Sequence, residues 1–223
     1  MRKFLFIIAA ILLIVNSSES FANTTFERCN ISVNPKIIFK SSYGKLKYDY
    51  TKSNKELQKM SGKKIWGLAS VKYKSSSKST YSLRERNGGE CLVPKEIEIY
   101  IGMTTPTIYV SNDLESGSCN FNLVLRHEET HMQINVRTFE HFLRVVPPNL
   151  KKAYKDIKPI LVKKSSKYTM QEAVDQQTQE YNYIVQNFTQ QLQDETDIEH
   201  EKLDGDKGRE IENKVCKKRI KLH

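Results

Sequence analysis

The chain lacks the features of several common classes of protein. After residue 22 it has no apolar run long enough to span a bilayer, so we expect no transmembrane segment once a leader is removed. It contains no Cys-x-x-Cys pair, which argues against a cysteine-based zinc finger and a thioredoxin-type redox site. It has no internal repeat. It also lacks an aromatic RNA-binding signature and a compact recognition helix, so we predict no specific nucleic-acid site. What remains is a chain of 223 residues, long enough for a hydrophobic core.

The first 22 residues, MRKFLFIIAAILLIVNSSESFA, have the three parts of a cleavable secretory signal. Two basic residues are followed by an apolar run over residues 4–15 and by small residues up to Ala22. We therefore predict a signal peptide over residues 1–22, a single domain over residues 23–215 and a basic tail over residues 216–223. An uncleaved membrane anchor is the alternative interpretation of the apolar run, although the run is short for a membrane span.

The cysteines are even in number, as is typical of exported proteins whose cysteines form disulfides. Two bridges among four cysteines allow three pairings, and the sequence does not select one of them. The cysteines are Cys29, Cys91, Cys119 and Cys216. We therefore predict two disulfides and a secreted or periplasmic location.

Basic residues outnumber acidic residues, and the formal net charge is +10 at pH 7. The lysines are spread over residues 36–78 and 151–167 between Ser, Tyr and Asn, which is typical of a solvated basic surface. A basic exported protein can also bind an anionic polymer of the cell envelope, so such a polymer is a candidate partner.

The first half of the mature chain has the composition and periodicity of strands. Residues 65–73 are rich in β-formers, and the serines at 75–77 predict a turn after them. Residues 96–101 alternate strictly between polar and apolar, as in a half-buried strand. The stretch Asn87-Gly88-Gly89 predicts a turn before Cys91, and a further short strand is expected at residues 107–110.

The second half has the period of helices. Residues 120–146 contain no Gly or Pro, and Pro147-Pro148 predict the end of one long helix. Residues 151–167 read as a loop or short helix, and a second long helix is expected over residues 170–192, with a polar helical extension after it. With strands over about residues 30–112 and helices over about 120–203, the predicted fold class is α+β.

One motif on the first long helix has a specific chemistry. The stretch His127-Glu128-Glu129-Thr130-His131 places two imidazoles one turn apart on the same face of a helix. Two histidines at this spacing can bind Zn²⁺, and Glu128 then lies beside the metal as a general base. A pair of structural histidines on a polar helix is the alternative.

A third metal ligand is not evident near the motif. Arg137 occupies the place at which a metzincin would have its third histidine. His141 lies too far along the same helix, at about 15 Å. The ligand must then come from another segment, and the candidates are His200, Glu195 and Glu199, followed by Glu172 and Glu180.

Over residues 31–207 the chain resembles a family of uncharacterised bacterial exported proteins that are described as predicted secreted zinc-dependent proteases. The resemblance covers Trp66, Cys91 and the strand after it, and the helix that carries His127, Glu128 and His131. The family pattern Tyr-Asp-x-x-Thr-x-His-Gly, placed without gaps, puts its histidine on His200 and its aspartate on Glu195. The resemblance implies an α+β fold, a bacterial source, an exported location and His200 as third ligand.

We therefore expect an exported zinc metallopeptidase that hydrolyses protein or peptide substrates, with Zn²⁺ on His127, His131 and His200. Glu195 is the alternative third ligand, and Glu128 is the expected general base. The rival hypothesis is a non-catalytic exported protein that binds the envelope and has a structural or vestigial metal site.

Overall fold

The computed structural model describes residues 26–86, 88–165, 167–205 and residue 216. The predicted signal peptide and residues 217–223 of the predicted tail lie outside these residues. The strands are β1 (Glu27–Arg28), β2 (Lys36–Tyr43), β3 (Lys47–Asp49), β4 (Gly67–Arg86), β5 (Gly89–Val110) and β6 (Ile160–Lys163), and the helices are α1 (Asn54–Ser61), α2 (Cys119–Asp156) and α3 (Met170–Leu203). This content confirms the predicted α+β fold class. Among the described residues, no helix combines the length and the hydropathy that a membrane crossing requires.

The strands β4 and β5 are longer than the sequence predicts. They are joined at Gly88, whose φ of 74° is the left-handed conformation that glycine favours, so the predicted glycine turn is confirmed. The predicted turn at Ser75-Ser76-Ser77 is wrong, because these serines lie inside β4. Pairing of β4 with β5 outweighs the weak strand preference of serine. The predicted strand at 107–110 is the end of β5 and not a separate element.

The described residues form two compact units, each made of three chain segments. The first unit contains the described residues up to Ile38 together with Lys78–Ile97 and Asn149–Ile184. In it, β6 pairs antiparallel with both β1 and the beginning of β5, and Leu161 lies opposite Cys91. The first disulfide, Cys29–Cys91, lies in an apolar cluster with Val93 and Leu161.

The second unit contains Phe39–Ser77, Glu98–Pro148 and the described residues from Val185 onward. Here β3 runs parallel to the end of β5, with Lys47 opposite Thr107. An apolar cluster that includes Val110 and Met132 packs the end of β5 against the beginning of α2. The second disulfide, Cys119–Cys216, links the first residue of α2 to this cluster.

Three elements differ from the sequence analysis. The helix α2 continues through Pro147 and Pro148 to Asp156, although proline lacks an N–H donor and crowds the preceding turn. Leu150 and Tyr154, one turn apart, are fully buried, so apolar packing favours a continuous helix. The segment predicted as loop or short helix contains β6, and α1 was not predicted although Ser53 and Glu56 form a capping box before its apolar positions.

The helix α3 includes the polar extension that the sequence predicts after residue 192, and this extension brings polar residues to the site described below. A capping box starts the helix, because the Thr169 N–H donates to Glu172 and the Glu172 N–H donates to the Thr169 hydroxyl. The helix then continues to Leu203. Buried apolar residues at Val185, Phe188 and Leu192 fix the face that α3 presents to the interior.

Candidate metal centre

Two buried histidines one helical turn apart form the centre of the site. His127 and His131 share a face of α2 because residues four apart in a helix lie above one another. Their Nε2 atoms are 3.0 Å apart, and their rings meet edge to face. Two imidazole nitrogens therefore converge on one point.

A carboxylate from the end of α3 completes the group. Asp204 follows Leu203, the last residue of that helix. Its Oδ1 atom lies 2.9 Å from Nε2 of His131 and 3.2 Å from Nε2 of His127. The ligand atoms of the three residues lie within 4.8 Å of one another. His127, His131 and Asp204, called the His-His-Asp group below, could therefore hold a metal ion.

The two histidines stabilise the charged form of Asp204. Burial by itself would raise the pKa of Asp204, but hydrogen bonds from His127 and His131 outweigh burial and hold that pKa well below its usual range. A cation is coordinated by the ionised form of a carboxylate and the neutral form of an imidazole. The group thus supplies the kinds of donor that a divalent metal ion requires.

His200 contacts the imidazole ring of His131 at the nitrogen that faces away from Asp204. Its Nδ1 atom is 2.5 Å from Nδ1 of His131, whereas Nε2 of His131 faces Asp204. Burial, with the neighbouring His131, lowers the pKa of His200 to about 4, so its ring is neutral at pH 7. A neutral ring can accept a hydrogen bond from the Nδ1–H of His131, and in that tautomer Nε2 of His131 has a lone pair for a metal.

Glu128 lies beside the group and against the beginning of β4. Its Oε2 accepts a hydrogen bond of 2.7 Å from the Ala69 N–H. Burial raises the pKa of Glu128, and the charges of His131 and His127 lower it in part. A cleft of about 480 Å³ is lined by Glu128, His131, His200 and Asp204 on one side and by β4 on the other. Glu128, His131 and Asp204 therefore line one cleft, in which a single ligand can contact all three.

Gly67 makes this placement of Glu128 possible. A Cβ atom at position 67 would lie 2.5 Å from Cγ and 2.7 Å from Oε1 of Glu128, and 2.6 Å from Cγ1 of Val124.

We expect Gly67→Ala to reduce the free energy of unfolding by about 1–3 kcal/mol, because the buried carboxylate or the helix must move. Urea unfolding measures this change. Gly205→Ala is the control, since its nearest neighbour would be 3.4 Å away, and equal stability of the two variants would contradict the prediction.

The remaining candidate ligands lie elsewhere. Within the described residues, neither Glu195 nor His200 belongs to the His-His-Asp group. Glu199 pairs with Lys202 on the surface. Glu172 caps α3, and Glu180 pairs with Arg28 in the first unit. The contacts of these four glutamates therefore fit solvated or structural side chains better than metal ligands.

Asp204 was missed, although the sequence contains a weak signal for it. It lies one helical turn after His200, so a ligand search on that face of α3 includes both residues. The pattern Tyr-Asp-x-x-Thr-x-His-Gly, shifted by four residues, places its glycine on Gly205 and its histidine on Asp204. Only the glycine is identical in that register, and one identical residue is too little to select the register from the sequence.

No protein-family model matches the chain, and it matches no curated protein and no solved structure. The function of the protein is therefore inferred from the chemistry of its residues.

Proposed function

We propose that the protein is an exported zinc-dependent metallopeptidase. The observation that carries the proposal is the convergence of three ligand atoms, two from the H-E-x-x-H motif and one from Asp204, within 4.8 Å of one another. Two imidazoles and one carboxylate are a donor set found in catalytic zinc sites, in which the fourth position is left for water or substrate.

The chain's own residues fit the steps of peptide hydrolysis. When bound, zinc lowers the pKa of water and polarises a carbonyl group. Glu128 takes the proton of the attacking water and returns it to the leaving nitrogen, and its raised pKa brings it closer to the range in which a carboxylate exchanges protons near neutrality. The hydrogen bond from the Ala69 N–H holds the carboxylate in place for both transfers. The cleft beside β4 gives a protein or peptide substrate access to these groups.

Export of the protein is supported by its disulfides, by the predicted signal peptide and by the resemblance to an exported family. The two disulfides fit a compartment in which cysteines oxidise. The predicted signal peptide and the resemblance to a secreted bacterial family favour the same compartment.

The net charge of +10 is compatible with an anionic envelope polymer as a second partner. Such binding should weaken steeply as the salt concentration is raised.

A non-catalytic protein with a structural metal is the rival. A structural zinc site is closed by four protein ligands. Among the described residues the group has three members, and His200 faces the other nitrogen of His131. These observations favour a site with an open position over a closed one.

The metal content of the purified protein tests the proposal. We expect about one zinc per chain in protein prepared without chelators, and loss of that zinc in His131→Ala and Asp204→Ala. Asp194→Ala is the matched control, because it removes an exposed carboxylate from α3, the helix that ends just before Asp204, and should leave the metal in place.

Two results of this measurement would count against zinc-dependent peptide hydrolysis. Protein that contains no stoichiometric metal would remove the basis of the proposal. Iron in place of zinc would assign the group to the two-histidine, one-carboxylate sites of iron oxygenases. Zinc that is retained by Asp204→Ala and lost in His200→Ala would instead restore the ligand set predicted from sequence.

A further inference from the structure

A second cleft, of about 600 Å³, lies within the second unit and has no residue in common with the His-His-Asp group. One wall is formed by residues 73–76 of β4 and by Tyr100 of β5. The other wall is formed by Gln186, Thr189, Gln190 and Gln193, which follow one another on a single face of α3. We call it the glutamine cleft.

The lining of the glutamine cleft is polar but almost uncharged. Among the described residues that line it, Lys74 is the one charged side chain, and none of them has a carboxylate or an aliphatic side chain such as Leu or Val. Amides and hydroxyls both donate and accept hydrogen bonds. A ligand that matches this lining is therefore neutral and rich in groups that both donate and accept hydrogen bonds.

The glutamine amides are already oriented. Nε2 of Gln190 donates to Oδ1 of Asp194, and Nε2 of Gln193 donates to Oδ1 of Asp197, each at 2.8 Å. Each amide keeps its second N–H and its carbonyl oxygen for a ligand. Because the two side chains are held before binding, a ligand loses less affinity to the ordering of side chains.

Two tyrosines of the strand wall are fixed through their hydroxyls. The Tyr73 hydroxyl donates to Oδ1 of Asn135 at 3.3 Å, and the Tyr100 hydroxyl pairs with Oγ of Ser42 at 2.6 Å. Their rings therefore give the cleft rigid, flat apolar surface beside its amides. A ligand with both hydroxyl edges and flat C–H faces makes use of both kinds of surface.

We propose that the glutamine cleft binds a neutral oligosaccharide that carries hydroxyl and acetamido groups. Sugar hydroxyls and acetamido N–H and C=O groups pair with the glutamine amides, and the C–H faces of sugar rings pack on the tyrosine rings. Asn135 also donates to the backbone oxygen of His131 at 2.9 Å, so a bound saccharide lies next to α2, the helix that carries the two histidines of the His-His-Asp group. Binding requires no metal and is independent of peptide hydrolysis.

A titration of the purified protein with the trimer of N-acetylglucosamine tests this inference. We expect saturable binding at one site by calorimetry, unchanged in the presence of EDTA. Amide chemical-shift changes should concentrate in residues 73–76, 100 and 186–193. Replacement of both Gln190 and Gln193 by alanine should weaken binding by about tenfold or more, since two hydrogen-bonding amides are lost.

Gln171→Ala is the matched control, because Gln171 donates to Asp175 in the same way on the same helix but lies outside the cleft. It should bind the trimer as the wild type does. Absence of saturable binding, or shift changes centred elsewhere, overturns the proposal without reference to any variant. So does binding that EDTA abolishes, or binding of a neutral peptide such as trialanine in preference to the saccharide.

Discussion

Replacement of Glu128 by glutamine is expected to lower peptide hydrolysis by about 10²- to 10⁴-fold, the usual contribution of a general base. Glutamine has nearly the same shape, and its carbonyl oxygen can still accept the hydrogen bond that the Ala69 N–H makes to Glu128. It cannot take a proton from water. The rate should therefore fall while the fold and the bound metal are retained. Turnover of a fluorogenic peptide library and elemental analysis measure the two effects on one preparation.

Glu129→Gln provides the control for this experiment. It makes the same substitution at the next position, where the carboxylate accepts a hydrogen bond from the Tyr48 hydroxyl at the surface. Its rate should equal that of the wild type. Full hydrolysis by the Glu128 variant would exclude Glu128 as the base. A wild type that holds zinc but cleaves no peptide would favour the binding protein with a structural metal.

Removal of the Cys119–Cys216 disulfide is expected to have the largest effect on stability. The bridge closes a loop with a sequence separation of 97 residues, and loops of this length correspond to about 4–5 kcal/mol in the chain-entropy model. It also constrains the metal group, because His127 follows Cys119 while Asp204 precedes Cys216. The double variant Cys119→Ala, Cys216→Ala should therefore unfold at lower urea concentration and bind zinc more weakly than the wild type.

The first disulfide, Cys29–Cys91, separates these two effects. Cys29 and Cys91 have a sequence separation of 62 residues and lie in the first unit, whereas the metal group lies in the second. Their double alanine variant should lose stability by a similar amount, about 4 kcal/mol, and keep the zinc affinity of the wild type. If both pairs weaken zinc binding equally, the effect is one of general stability and not of tethering Asp204.

Local patterns predicted the four longest elements among the described residues, β4, β5, α2 and α3, and missed the five shorter ones. Period-two alternation predicted the strand at residues 96–101, which is part of β5, and the lack of Gly and Pro over residues 120–146 predicted the first part of α2. The errors were made where tertiary packing outweighs local preference. Serines 75–77 lie in β4, a strand that pairs with β5, and α2 passes through Pro147 because apolar residues beyond it are buried.

The candidate site divides in the same way. The sequence by itself determined that His127 and His131 share a face and that Glu128 follows the first of them, because the helical period sets these relations within a single turn. Only the tertiary structure decided the third member. Asp204 is separated from His131 by 73 residues, and its contact depends on where α3 ends relative to α2 within the second unit. The cysteine pairing has the same origin, since contacts between distant segments are set by packing and leave no local pattern in the chain.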